Sequence, residues 1–153
     1  MAAAALDRAL ALNPNAAHAW LFRGNVHAAG NQPEAAIEAI ERARRLSPFD
    51  PYTFLYAVNI AIAHLAARRF EQAIEWADRA LHDQPRLVSA MRVKAVSNAH
   101  LGHLDAARAE LSRMLGIDPE PTIAGFRVYA HFLAPEVLEL YVAGLRLAGL
   151  PEK

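Results

Sequence analysis

Seven histidines are the most suggestive reactive groups in this 153-residue chain, and no cysteine accompanies them. His100 and His103 have ligand-like spacing, but Gly102 marks a turn between them and takes them off a common helical face. His27 and His64 occupy equivalent places in two successive sequence phrases, so two imidazoles could approach one Zn or Ni ion. A metal site needs a third ligand, and none is nominated, so the histidines read as packing residues. Ser47, Ser89, Ser97 and Ser112 lack the G-x-S-x-G frame of an activated nucleophile. No glycine-rich phosphate loop occurs. The carboxylate pairs Glu38/Glu41 and Asp118/Glu120 fall on helix faces or turns and read as solvated. The chain therefore presents no catalytic, metal or cofactor-binding set, and an enzyme is not expected.

The composition points the same way. Hydrophobic residues make up 54%, glycine is sparse, and β-branched residues form no alternating runs, which favours helices over sheets. Basic and acidic residues number 16 each, so the phosphate attraction needed for nucleic-acid binding is missing. The local clusters Arg42, Arg44, Arg45 and Arg68, Arg69 fit solvated helix faces and turns. Asp7 and Arg8 break the apolar N-terminus, which lacks the basic start of a signal peptide. No uncharged apolar run reaches membrane-spanning length, and the chain reads as soluble and cytoplasmic.

What positions these residues is a repeat. Pro14, Pro48, Pro85 and Pro119 close similar phrases at intervals of 34, 37 and 34 residues. A period of this size marks stacked helix pairs. Ala36, Ile40 and Ala43 recur as Ala73, Ala77 and Ala80, then as Ala107, Leu111 and Met114, with Ala2, Leu6 and Ala9 in the same register. Offsets of four and three place each set on one helical face. The preceding helices carry Trp20, Gly24 and His27, then Ala57, Ala61 and His64, then Met91, Ala95 and Asn98. Small residues here let helices nearly touch, and Trp20 is placed in the core. Turns are expected at Gly30-Asn31, Arg68-Arg69 and Gly102-His103, with the glycines in the left-handed position after the helix. Glu34, Glu71 and Asp105 then open the next helices. The three extra residues of the middle unit fall near Pro48-Phe49-Asp50-Pro51, with Asp50 as N-cap and Pro51 as first helical residue.

These residues resemble the tetratricopeptide (TPR) pattern W-x₂-L-G-x₂-Y, then A-x₃-F-x₂-A, then P. Trp20, Gly24, Ala36, Ile40, Ala43 and Pro48 match it, while Arg23 and His27 depart from it. The resemblance implies an all-α, right-handed α-solenoid of helix-turn-helix repeats with a C-terminal capping helix. We divide the single domain into a half repeat (1–16), repeats at 17–50, 51–87 and 88–121, and capping helices at 122–153. The half repeat leaves Leu6, Ala9 and Leu10 without an upstream helix, which suggests a piece of a longer protein or an end covered by another subunit. After Pro119 the period stops. A short helix interrupted near Gly125 is expected, then one opened by Ala134-Pro135-Glu136 and closed by Gly149. The ending GLRLAGLPE is similar to tails of bacterial proteins that carry a TPR array after a class III adenylate/guanylate cyclase or a winged-helix regulator.

In such arrays the first helices of the repeats line a concave groove. By register this groove presents His18, Leu21, Phe22 and Asn25, then Leu55, Val58, Asn59, Ile62 and Leu65, then Ser89, Arg92, Val93 and Val96. It is mostly apolar and suits an apolar or amphipathic segment. Asn25 and Asn59 fit a carboxylate-clamping pattern, but Arg92 alone supplies a cation. The expected function is protein–protein interaction, as the non-catalytic regulatory or scaffolding region of a signalling protein such as a cyclase. The alternatives are a self-association module that dimerises through the half repeat, or the tail of a winged-helix transcriptional regulator. No nucleic acid or membrane partner is expected. The C-terminal helix is the competing occupant of the groove.

Overall fold

The computed structural model describes residues 2–117 and 121–153, and within them it contains nine α-helices and no strand. Pro119 and the Asp118/Glu120 pair lie outside the described residues. The helices are α1 (Ala2–Leu12), α2 (Ala17–Ala29), α3 (Pro33–Leu46), α4 (Thr53–Ala66), α5 (Phe70–Asp83), α6 (Val88–His100), α7 (Leu104–Leu115), α8 (Ile123–Tyr129) and α9 (Pro135–Leu147). Helices α2/α3, α4/α5 and α6/α7 pair as antiparallel hairpins and stack in order, giving an α-solenoid.

Periodic small residues explain the stack. Ala36, Ile40, Ala43, Ala73, Ala77, Ala80 and Ala107 are all 0% exposed. Their equivalents in α1, Leu6 and Ala9, stay half-exposed, because α1 packs on α2 alone among its larger contacts. Gly24 meets Ile40 so closely that a Cβ there would collide with it. Each helix pair then turns on one left-handed residue: Asn31 (φ 59°), Arg68 (φ 60°) and Gly102 (φ 81°). The residue after it donates back across the helix end, Gln32 to His27, Arg69 to His64 and His103 to Asn98 at 2.8–2.9 Å. Gly30, expected in this role, has φ −83°, and Asn31 takes it instead.

Two local expectations are corrected. Asp50 is not a helix cap, since α4 begins at Thr53. Its carboxylate is buried and accepts from the Tyr52 amide and the Tyr56 hydroxyl, both at 2.8 Å, holding the three-residue insertion as a turn. Nor is α8 interrupted at Gly125. Thr122 caps it by accepting from the Gly125 amide at 3.0 Å, and the helix runs through.

On the convex side Lys94 bridges neighbouring helices. Its ammonium lies 2.8 Å from Asp78 of α5 and 2.7 Å from Glu110 of α7. Burial disfavours this charge, but the two carboxylates outweigh it and raise the Lys94 pKa.

Part of the C-terminal tail packs on the solenoid. Gly144 lets α9 lie against Val96 of α6, Leu145 and Leu150 are buried, and Gly149 (φ 100°) ends the helix. The carbonyls of Pro151 and Glu152 accept from the first amides of α8 at 2.8 and 3.1 Å. These roles account for Gly144, Leu145, Gly149 and Leu150 in GLRLAGLPE, while Arg146 and Leu147 stay exposed.

Candidate functional site

The first helix of each pair, α2, α4 and α6, faces the concave side, and the C-terminal segment folds back into it. Ile123, Phe126 and Ala130 of that segment are buried. The turn after α8 crosses to the first repeat, where the Ala134 amide donates to the Ala29 carbonyl at 2.7 Å. Helix α9 lies along α6, where a His100 ring nitrogen pairs with the Leu140 carbonyl at 2.8 Å and the ring stacks on Phe70.

What remains open is a cleft of about 270 Å³. Asn25, Asn59, Ile62, Ser89 and Arg92 line it from the solenoid, and Phe126, Tyr129, Phe132, Leu133 and Tyr141 wall it from the C-terminal segment. The Asn25 Oδ1 is shielded from water without a hydrogen-bond partner among the described residues. The Asn59 amide turns back to the Leu55 carbonyl at 2.7 Å. The Arg92 guanidinium lies 5.3 and 5.7 Å from the ring centres of Phe126 and Tyr129, and has no carboxylate partner among the described residues. Burial pushes the Tyr141 hydroxyl well above the ordinary phenol range, so it stays a neutral donor. A second cavity, of about 460 Å³, continues past Arg92 between α6 and the C-terminal segment, reaching Met114 and Leu150.

Of the thirteen groove residues expected from register, five meet in the cleft: Asn25, Asn59, Ile62, Ser89 and Arg92. His18 and Phe22 are exposed nearer the N-terminal end of the same helix. Leu55 is half-buried beside a core cluster that contains Leu21, Ile40, Tyr56 and Ile60. Leu21, Val58, Leu65, Val93 and Val96 are buried between helices. The aromatic walls were missed by register, since residues 122–134 have no repeat. Their signal was compositional, with Phe126, Tyr129, Phe132 and Tyr141 crowded into one short stretch.

Two of the histidines singled out by sequence make local contacts. His27 pairs with Gln32 at 2.7 Å. His64 Nδ1 accepts from Arg69 at 2.9 Å, and burial, then the Arg69 charge, lowers its pKa and keeps it neutral. Among the described residues no three His, Cys, Asp or Glu side chains come together as a metal site. On the outer surface Arg42 stacks on Trp20 at 4.3 Å and Arg79 on Trp76 at 4.2 Å. Trp20 itself is half-buried, and its indole N–H donates to the Pro14 carbonyl at 2.8 Å.

A stack of helix pairs with a concave, aromatic-walled cleft defines a helical-repeat solenoid. The tetratricopeptide repeat family matches residues 2–51 and 58–120, and the chain belongs to that family. Among curated proteins it is 34% identical over 117 residues to the FK506-binding protein-like protein of Homo sapiens, covering 73% of this chain and 32% of that one. The Rattus norvegicus counterpart is 33% identical over 97 residues, covering 60% of this chain and 28% of its own length. This chain thus spans about a third of the human relative's length. Among solved structures, PilW, a type IV pilus biogenesis factor, superposes with a TM-score of 0.70 at 19% identity, covering 92% of this chain and 66% of PilW. YrrB, a TPR protein described as having an unusual peptide-binding site, gives 0.58 at 20% identity, covering 95% and 75%. At these identities the two structures speak for the fold. No helix among the described residues is long and apolar enough to cross a membrane.

Proposed function

We propose that this chain is a non-catalytic interaction module that binds a partner protein segment in the concave cleft. The observation that carries this reading is the cleft's unfinished lining. Arg92 lacks a carboxylate among the described residues, and Tyr129 and Phe132 stay 64% and 60% exposed at the rim. Such groups are completed by a ligand that brings a carboxylate and an apolar side chain. The tail similarity supports a scaffolding place in a signalling protein such as a cyclase, in the cytoplasm. To test the binding reading, peptides are selected from a random library on the full chain and their Kd values measured by fluorescence polarisation. Arg92→Glu and Ile62→Glu should each weaken them at least tenfold with helicity unchanged. Equal affinity for both variants and the parent removes the cleft as the site.

A second reading, self-association through α1, is favoured by Leu12, which is 80% exposed on that helix. Light scattering decides it: a monomer at high micromolar concentration ends the idea.

A further inference from the structure

We infer that α8 and the turn after it, residues 122–134, are a displaceable internal occupant of the groove, and that the partner is an amphipathic helix that takes their place. This rests on the concave face being the binding site. The segment already docks as a ligand would. Ile123, Phe126 and Ala130 form an i, i+3, i+7 row of buried anchors, the pattern by which a helix enters a groove.

The same segment is poorly suited to be a permanent cap. A terminal cap turns a polar face outward, but this one leaves Val128, Tyr129 and Phe132 exposed by 76%, 64% and 60%. Its helix has only seven residues, with a glycine inside, and is too short to persist without its surroundings. It is tied across the groove by one backbone hydrogen bond, Ala134 to Ala29, at its start by the Ile123 and Ala124 amides, which donate to the Pro151 and Glu152 carbonyls, and along its side by the exposed Arg127–Glu139 pair. Helix α9 is held on α6 by the close Gly144–Val96 contact, so lifting α8 breaks its packing on α9 and its two bonds to the chain end while α9 stays on α6. The segment also leaves the Asn25 acceptor unsatisfied. A partner helix that repeats the three apolar anchors and adds a donor for Asn25 completes what α8 does not.

The test uses a labelled peptide with the sequence of residues 121–134, titrated with the full chain. Phe126→Ser removes the central anchor of the internal segment and should bind the peptide at least tenfold more tightly than the parent chain. The chain has no cysteine, so an Ala29→Cys/Ala134→Cys pair adds a single lockable tie. The oxidised form should not bind the peptide, and reduction should restore parental affinity. Equal affinity of parent, loosened and reduced proteins, or no binding by any of them, overturns the inference. So does equal binding by oxidised and reduced forms, which would place the peptide on top of α8. If Phe126→Ser fails to fold, the oxidised/reduced comparison decides. Library-selected peptides that stay sensitive to Arg92→Glu while the strap peptide fails would leave the binding function standing without the displacement.

Discussion

Asp50 is a buried carboxylate held by two donors. The Tyr52 amide, then the Tyr56 hydroxyl, lower its pKa, and these outweigh the cost of burial. Burial, then the same bond, pushes the Tyr56 hydroxyl up to about 12. The linkage has a definite sign: a carboxylate depressed in the folded state stabilises above its unfolded pKa, about 3.9, and loses that contribution as pH falls through the folded value. Asp50→Asn should therefore cost about 1–3 kcal/mol at pH 7. The gap to the parent should begin to narrow as the pH falls below the unfolded value of about 3.9 and go on closing through the lowered folded value, in urea melts repeated across pH. A pH-independent difference would remove the charge from the account. Asp before Pro reads equally well as a cap, because only the fold brings Tyr56 to the carboxylate. Arg68 is the opposite case, an arginine held at φ 60° where glycine is at ease. Arg68→Gly should raise stability by up to about 1 kcal/mol. A lower melting temperature would mean that the arginine side chain makes a contribution of its own.

Between elements, close approach governs. A Cβ on Gly144 would lie 2.7 Å from Val96 Cγ1 and 3.0 Å from Val96 Cα, a side-chain and a backbone atom of α6. Gly144→Ala should push α9 off α6 and cost about 1–3 kcal/mol. Hydrogen exchange should show faster opening of α8 and α9 while α2–α5 keep their protection, and uniform protection across the chain would contradict this. Trp20 was placed in the core by its repeat position, but it is half-buried and covered by Arg42. Trp20→Ala should cost about 2–3 kcal/mol, less than the ~3–5 of a fully buried tryptophan. A melting temperature equal to the parent's would show that the indole contributes no packing at all.

For the molecule as a whole, the groove's outline was legible and its occupancy was not. Substituting Val58, which is only 4% exposed, would test the core rather than the cleft. Partner binding is better probed at Arg92 and Ile62, which line the cleft from the solenoid. If the internal segment competes for the groove, added partner peptide should shift α8 amides to faster exchange with α6 and α9 unchanged. Slower exchange throughout would indicate docking over a closed groove.

The repeat was decided by sequence alone. Small residues at offsets of three and four must face a neighbouring helix, and a period of that length leaves only stacked pairs to bury them. The helix starts at Pro33 and Pro135 and the stop at Gly149 followed from local backbone chemistry. Tertiary structure decided what fills the concave face. Residues 122–134 carry no period, and their place depends on meeting α2 and α6, so contacts such as Ala134 with Ala29 and Phe126 with Arg92 have no local signature. The unsatisfied Asn25 and the aromatic walls of the cleft arise from that long-range docking, and from nothing nearer in the chain.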